Sequence, residues 1–252
     1  MKRLFIMMIV LLAFSYSCVK DGGESGVATG GDQAGQGGSM AKFSISNNHL
    51  FVINESSLKT YDISNPAQPQ KMNDLSVDFG IETVFTMGDH LFIGSINGLY
   101  IYDIADPINM KFLSYYQHIT SCDPVVANDS LAFVTLNSSA SCWWQGGANR
   151  LDVLDIKNKI DPELISSLNM ISPKGLGIKG HYVFVCNGDN GLNVYDYTNP
   201  QNLVRVAGIT GIQSYDVIIR NELLFVIGKD GFFQYDISDI QNISLISNIL
   251  FQ

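Results

Sequence analysis

The stretch Leu99-Tyr-Ile-Tyr-Asp-Ile-Ala-Asp-Pro107 decides the fold, because close copies of it recur along the chain. The phrase returns at residues 58–66 and 192–200, and looser copies occupy residues 151–156 and 232–239. One aspartate marks each copy, and these marker aspartates are Asp62, Asp103, Asp155, Asp196 and Asp236. Their separations of 41, 52, 41 and 40 residues define a unit that recurs five times. Units of about 40 residues made of short apolar strands are typical of propeller blades.

Each unit has the pattern of four short strands. In the second unit, runs 81–87, 90–96, 99–103 and 110–116 are rich in β-branched and aromatic residues, and turns separate them. Asn97-Gly98 lies between two apolar runs and is the strongest short signal for a β-hairpin. No segment of the domain shows a helical period of useful length. We therefore predict an all-β protein, a five-bladed β-propeller of four-stranded antiparallel blades.

The propeller is predicted to occupy residues 40–252 as one domain, because a single blade cannot bury both faces of its sheet. Its blades are expected at about residues 40–79, 80–119, 120–171, 172–211 and 212–252. The first strand of each blade should line the axis, and blade 5 should close on blade 1 by packing alone.

Residues 1–17 have the pattern of a lipoprotein signal peptide. A basic Met1-Lys-Arg start precedes an apolar run at residues 4–14, which is shorter than the roughly 20 residues that span a bilayer. Ser15-Tyr-Ser before Cys18 resembles a relaxed bacterial lipobox, which implies that Cys18 is lipidated and becomes the first mature residue. Ordinary secretory cleavage near Ser17 is the alternative. Residues 18–39 are then the lipidated cysteine and a flexible Gly-rich tether.

The charge limits the classes of partner. The net charge is -9, and removal of Lys2 and Arg3 with the leader takes the mature chain to -11. Such an acidic surface repels phosphate backbones, so we expect no nucleic-acid partner. The expected partners are the membrane, through the lipid anchor, and a protein or glycan ligand on a loop-bearing face. The expected location is the outer membrane of the cell envelope, on either its periplasmic or its exposed side.

The units resemble the LVIVD repeat of bacterial surface and secreted proteins. In that repeat the third strand reads Leu-x-Val-Ile-Asp-Val-Ser-Asp-Pro, and residues 99–107 and 192–200 match it closely. The resemblance covers residues 41–252 and implies propeller blades, but it implies no general activity. The last unit departs from the pattern at Asp239-Ile240, where Asp-Pro is expected.

The marker aspartates are predicted to accept hydrogen bonds from the backbone of the turn that follows each of them. The alternative, carboxylates that act together on a ligand, is disfavoured because five blades hold them far apart. His49, His90 and His181 recur at the start of the second strand on three different blades and are interpreted as turn residues. The sequence has no zinc-ligand spacing, phosphate-binding glycine loop or nucleophile elbow, so we expect no cofactor and no metal.

The third unit has about 11 extra residues between its second and third strands, in a segment that contains Cys142. Cys122 begins the first strand and Cys142 follows the second, which places both on one rim of an antiparallel pair. In an exported chain this favours a Cys122–Cys142 disulfide, worth roughly 3 kcal/mol. Cys186 ends a strand on the same rim and is either a free thiol or a competitor for Cys142.

Two binding sites are predicted on this rim. Trp143 and Trp144 are adjacent in a polar loop, and at least one ring is expected to contact a sugar or a protein partner. The alternative folds both rings back over the disulfide. The second site is a ring at the axial mouth, formed by Lys42, Thr83, Asp123, Lys174 and Tyr215 and flanked by Glu82 and Asp216. This ring either binds a small ligand or ion or plugs the channel with mutually bonded side chains.

These observations favour a non-enzymatic binding or scaffold module. The alternative is a propeller enzyme acting on carbohydrate, a glycoside hydrolase or lyase, which needs two carboxylates about 5–10 Å apart. Its catalytic pair would be Asp123 with Glu82 or Asp216, with His118 as an accessory acid or base. A purely structural role in the envelope is a third interpretation.

One mass measurement tests both the anchor and the disulfide. The intact chain from the membrane fraction should be heavier than a polypeptide that begins at Cys18, by the mass of the attached lipid. Apart from the lipid, its mass should be two hydrogens lower than that of the fully reduced chain, because the Cys122–Cys142 disulfide has formed. Cys142→Ser should remove that difference. Cys18→Ala should abolish the added mass and release the protein from the membrane, and retention of this variant in the membrane fraction would contradict the anchor.

Overall fold

The computed structural model describes residues 38–119, 124–138 and 148–251. Over these ranges, twenty strands form five antiparallel sheets in the order of the chain, four strands to a sheet. Each sheet is one blade, so the predicted all-β, five-bladed propeller of four-stranded blades is confirmed. One short 3-10 helix, Ile240–Asn242, precedes the last strand. No helix in these ranges is long and apolar enough to cross a membrane.

The strands fall where the short apolar runs predict them. Blade 1 contains β1 (Phe43–Ser46), β2 (His49–Ile53), β3 (Ser57–Asp62) and β4 (Gln70–Ser76). Blade 2 contains β5 (Ile81–Met87), β6 (His90–Ser95), β7 (Gly98–Asp103) and β8 (Lys111–Gln117). Blade 3 contains β9 (Val125–Ala127), β10 (Leu131–Leu136), β11 (Arg150–Asp155) and β12 (Glu163–Asn169). Blade 4 contains β13 (Leu176–Lys179), β14 (Tyr182–Cys186), β15 (Leu192–Asp196) and β16 (Val204–Ile209). Blade 5 contains β17 (Ser214–Arg220), β18 (Leu223–Gly228), β19 (Gly231–Asp236) and β20 (Ser244–Leu250).

The hairpin turns follow from local chemistry. Asn47 and Asn48 join β1 to β2 with φ angles of 47° and 59°, the left-handed conformation that a two-residue type I′ turn requires. The hairpin predicted at Asn97-Gly98 is confirmed, but its turn lies one residue earlier: Ser95 pairs with Gly98, so the two turn residues are Ile96 and Asn97, and Gly98 begins β7. The Ser95 hydroxyl donates to the Gly98 carbonyl at 2.8 Å, which fixes the turn.

Each marker aspartate accepts a hydrogen bond from the backbone N–H two residues later, at 2.7 to 2.9 Å. The donors are Ser64, Ala105, Lys157, Thr198 and Ser238. Hydrogen bonds from these turns lower the pKa of four of the carboxyls, those of Asp62, Asp155, Asp196 and Asp236. The prediction that the aspartates stabilise their own turns is confirmed, and these four remain ionised near neutral pH.

A one-residue bulge recurs at the same place in every blade, between its third and fourth strands. The pairing register shifts after Thr60, Ile101, Val153, Val194 and Gln234. A bulge increases the local twist of a sheet. The five units therefore share one backbone design, including its irregularity.

The blades pack face to face through a phenylalanine at one repeat position of the second strand. Phe51, Phe92, Phe133 and Phe184 are each at most 1% exposed and lie in apolar clusters with residues of the following blade. Burial of such a side chain contributes roughly 1.5–3 kcal/mol. These clusters join blades 1 and 2, 2 and 3, 3 and 4, and 4 and 5.

Blade 5 differs from the other blades at this position, because Phe225 is only partly buried. Within the described ranges, no buried apolar cluster joins blade 5 to blade 1. The expected closure of the ring by packing of these two blades is therefore not seen there. On the third strand of blade 5, Gln234 stands where Ile101 and Val194 supply apolar surface to the next blade.

The long segment in blade 3 joins its second and third strands, as predicted. Leu136 pairs with Arg150 at the base of this segment. Six of the residues that the sequence singled out lie outside the described ranges, and these are Cys18, Cys122, Asp123, Cys142, Trp143 and Trp144.

Truncation of the repeated phenylalanine should cost stability in proportion to its burial. Phe92→Ala should lower the free energy of unfolding by about 3–5 kcal/mol, because it leaves a cavity between blades 2 and 3. Phe225→Ala removes the same atoms from a partly exposed face and should cost about 1–2 kcal/mol. Urea unfolding measures both, and equal losses would show that Phe225 is covered as completely as Phe92.

Candidate functional site

The axial mouth lies where the first strands begin, and the structure brings two of its predicted residues into contact. The Lys174 Nζ lies 5.1 Å from the centroid of the Tyr215 ring, which is within cation–π range. Lys42 is exposed, whereas Thr83 is buried opposite Gly94.

The sequence alignment of this ring is shifted by one residue in blades 3, 4 and 5. His49 and His90 open β2 and β6, but His181 belongs to the turn and β14 begins at Tyr182. The positions equivalent to Lys42 and Thr83 are consequently Pro124, Gly175 and Asp216, not Asp123, Lys174 and Tyr215. The prediction that His181 opens the strand is wrong, because a two-residue turn uses it as the second turn residue.

Asp216 is the centre of a polar contact at the mouth. Its carboxylate accepts hydrogen bonds from the Ser39 hydroxyl at 3.2 Å, the Met40 N–H at 3.3 Å and the Val217 N–H at 2.9 Å. The Ser39 oxygen in turn accepts the Leu176 N–H at 2.7 Å. Residues 38–40 therefore form a clasp, which ties the segment before β1 to blades 4 and 5.

Two glycines give the Asp216 carboxylate its space. A Cβ at Gly175 would lie 1.9 Å from one carboxylate oxygen, and a Cβ at Gly38 would lie 2.0 Å from the other. Separations this short are steric overlaps. Any larger residue at either position would displace the carboxylate, so the clasp requires glycine on both sides.

Burial raises the pKa of Asp216 to about 6, although its hydrogen bonds favour the ionised form. Desolvation of the carboxylate therefore outweighs its hydrogen bonds from Val217, Met40 and Ser39. Cys186, also close to Asp216, is a free and fully buried thiol. Burial raises the pKa of Cys186, so the thiolate that would react as a nucleophile is disfavoured.

The three carboxylates that the enzyme alternative requires differ in their surroundings. Asp123 lies outside the described residues, and Glu82 is the partly buried bulged residue of β5. Asp216 has a pKa that suits proton transfer, but the chain's own donors occupy its oxygens. In the part of the chain that the structure describes, no cluster of three or more His, Cys, Asp or Glu side chains is arranged to hold a metal ion.

A groove on the opposite rim was not predicted from the sequence. It runs between the turns of blades 3 and 4 as two adjoining cavities of about 580 and 610 Å³, which share Ser130, Leu131 and Pro200. One cavity is lined by His181 and Tyr197, and the other contains polar side chains, of which Lys157, Glu163 and Gln201 are examples. Residues of the turns that follow Asp155 and Asp196 line much of this groove, so the positions of these turns in the sequence could have indicated it.

A buried ion pair at the base of the long segment was also missed. The Arg150 guanidinium contacts the Asp152 carboxylate at 2.7 and 2.9 Å, and the Ser167 hydroxyl donates to the same carboxylate at 2.6 Å. Asp152 is 1% exposed. The spacing of two residues puts both charged side chains on one face of a strand, a signal that the sequence did contain.

Stability should fall as Asp216 ionises. The folded protein holds a proton on Asp216 between about pH 4 and pH 6, where the unfolded chain has released it, so unfolding becomes easier as the pH rises through that window. Asp216→Asn should remove this dependence and stabilise the protein at pH 8 by about 1–3 kcal/mol. Urea titrations at pH 4.5 and 8 measure the difference, with Asp161→Asn as a control. A variant with the pH dependence of the wild type would contradict the raised pKa.

Solved structures share the fold at low sequence identity. A functionally unknown protein from Desulfotomaculum acetoxidans is 12% identical, with a TM-score of 0.69 over 83% of this chain and 69% of that one. The periplasmic gluconolactonase of Pseudomonas aeruginosa is 13% identical, with a TM-score of 0.63 over 81% and 67%. The computationally designed protein Ika8 is 14% identical, with a TM-score of 0.60 over 82% and 60%. This chain thus spans about 60 to 69% of the length of these proteins, and the likeness shows the fold alone.

Sequence comparison identifies the repeat. No curated protein matches the chain. The LVIVD repeat family matches residues 37–75, 82–118 and 173–207, which correspond to blades 1, 2 and 4. The resemblance drawn from the third-strand motif is therefore confirmed, and the protein is a five-bladed β-propeller in which blades 1, 2 and 4 match the LVIVD repeat.

Proposed function

We propose that this protein is a lipid-anchored, extracytoplasmic recognition module that binds a protein or a glycan and catalyses no reaction. The observation that carries the proposal is the state of Asp216. Its oxygens accept hydrogen bonds from Ser39, Met40 and Val217, so a substrate could reach them only after the clasp opened. The mouth carboxyl whose pKa is raised to about 6 thus has hydrogen-bond partners within the chain itself.

Shallow surfaces on both rims support binding. The groove between blades 3 and 4 is open to solvent and offers an aromatic ring, an amide, an ammonium group and a carboxylate, at Tyr197, Gln201, Lys157 and Glu163. Such a mixture can hydrogen-bond and stack with an extended polymer. The base of the long segment of blade 3, where Leu136 pairs with Arg150, lies on the opposite rim, and Trp143 and Trp144 of this segment are candidate contacts from the sequence. The signal peptide and lipobox support the membrane anchor.

The alternative function is an enzyme that acts on carbohydrate. A carboxyl pKa of about 6 suits a general acid, and a gluconolactonase shares the fold. Catalysis would require Asp216 to exchange its bonds to the clasp for bonds to substrate, with Asp123 or Glu82 as its partner.

Glycan and peptide arrays separate the two functions. The full chain, carrying Cys18→Ser to prevent lipidation, should bind a ligand class without turnover. Replacement of Trp143 and Trp144 by alanine should weaken binding at least tenfold, because it removes both rings. Lys111→Ala, on the exposed edge of blade 2, is the control and should bind like the parent.

Replacement of both Lys157 and Gln201 by alanine tests the groove in the same assay. Turnover of a carbohydrate that disappears in Asp123→Asn or Asp216→Asn would refute the proposal in favour of the enzyme.

A further inference from the structure

Blade 2 carries two paired tyrosines at a position where the other four blades have no aromatic pair. Tyr100 of β7 pairs with Tyr115 of β8, and their ring centroids are 4.5 Å apart. Both side chains are partly exposed at the rim of the axial mouth. The equivalent pairs in blades 1, 3, 4 and 5 are Lys59 with Asp74, Asp152 with Ser167, Asn193 with Gly208, and Phe233 with Asn248. Blades therefore form with very different residues here, and the fold does not require the tyrosines.

Hydrogen bonds hold both tyrosine rings in place. The Tyr100 hydroxyl donates to the Asp78 carboxylate at 2.9 Å, and the Tyr115 hydroxyl donates to the Asn97 carbonyl at 2.9 Å. Burial, and then the bond to Asp78, raise the pKa of Tyr100, so its hydroxyl keeps the proton that it donates. The Tyr115 ring lies over Gly98, where an added Cβ would be 2.5 Å from a ring carbon. The rings are therefore positioned before any ligand arrives, which lowers the entropy cost of binding.

A third aromatic ring lies beside them, on the connection between β4 and β5. Phe79 follows Asp78 directly and is 67% exposed, and its N–H donates to the Asp78 carboxylate at 2.7 Å. The connection is anchored on both sides. The Gly80 N–H donates to the Glu55 carbonyl at 2.8 Å, and the Ile96 N–H donates to the Gly80 carbonyl at 3.0 Å. Blades 1 and 2 thus both hold the segment that presents Phe79 to solvent.

Phe79, Tyr100 and Tyr115 together form an aromatic shelf with a polar border. Each oxygen of the Asp78 carboxylate accepts one hydrogen bond, from the Phe79 N–H or from the Tyr100 hydroxyl, and a carboxylate oxygen can accept a second. The shelf therefore offers apolar ring surface and, beside it, acceptors for hydroxyl groups. A sugar ring has the matching arrangement, with C–H groups on its faces and hydroxyls around its edge.

The size of the shelf and the charge of the chain favour a neutral glycan over other ligands. Three partly covered rings expose on the order of 200 Å², whereas a stable protein interface takes about 800 Å² from each partner. The smaller area suits one or two sugar rings. The net charge of -9 repels anionic ligands, so acidic sugars and nucleic acids are disfavoured.

We propose that the aromatic shelf binds a neutral glycan, with a sugar ring against Phe79 and the two tyrosines and its hydroxyls bonded to Asp78. The proposal rests on the recognition function proposed above and names its ligand class. It adds to the tryptophan site predicted from the sequence a second contact on blade 2, whose rings the structure describes.

A glycan array followed by calorimetry tests the shelf. The full chain carrying Cys18→Ser should bind neutral oligosaccharides on an array that also displays acidic ones, and the neutral oligosaccharide with the strongest signal is then titrated. Phe79→Ala should weaken its binding about tenfold, because an exposed ring that contacts the sugar is lost. Phe79→Trp keeps an aromatic ring and should bind like the parent. Tyr100→Phe keeps the ring but loses the bond to Asp78, and should weaken binding about three- to tenfold.

Ile171→Ala is the matched control, since Ile171 is also 67% exposed, on the connection between β12 and β13, and it should bind like the parent. Circular dichroism verifies that every variant is folded. A Phe79→Ala variant that binds the glycan as tightly as the parent would overturn the shelf and leave the recognition function standing. Preference for acidic glycans, or binding of peptides but of no neutral glycan, would overturn it in the same way. A chain that binds neither glycans nor peptides would refute the recognition function as well.

Discussion

The fold depends on one repeated interaction, the packing of a second-strand phenylalanine of each blade against the sheet that follows. A four-stranded blade has two apolar faces and cannot bury either alone, so each blade is stable only beside a neighbour. Phe51, Phe92, Phe133 and Phe184 make this contact at four boundaries. The groove between blades 3 and 4 is a consequence of it, since the turns diverge above the point where the sheets meet.

The carboxylate of Asp216 lies at the axial mouth, where it stabilises the fold through its hydrogen bonds to Ser39 and Met40. Asp216 gives up hydration, and the resulting rise of its pKa to about 6 means that part of the stability gained from the clasp is lost when the group ionises. Ser39 compensates by bridging blades 4 and 5 through its hydroxyl. We therefore expect the proposed recognition surfaces on the rims, where side chains make fewer hydrogen bonds within the chain than Asp216 does.

The sequence predicts what local chemistry controls. The third-strand motif and the marker aspartates with their turns follow from residues within a few positions of one another, and both are confirmed. The hairpin at Asn97-Gly98 is also found, with its turn one residue earlier than predicted. The ring at the mouth was harder to predict, because one turn residue before the second strand, Ser130, His181 or Glu222, shifts the alignment in blades 3, 4 and 5. The clasp joins Ser39 to Asp216 across 177 positions, and no local pattern encodes that contact.

The marker aspartates all end third strands, so they line the rim opposite the one where the chain enters at Gly38. Their turns keep at least four of them negatively charged. This rim consequently carries a set of fixed negative charges at equivalent positions of different blades, which would repel acidic polymers and acidic surfaces that approach it.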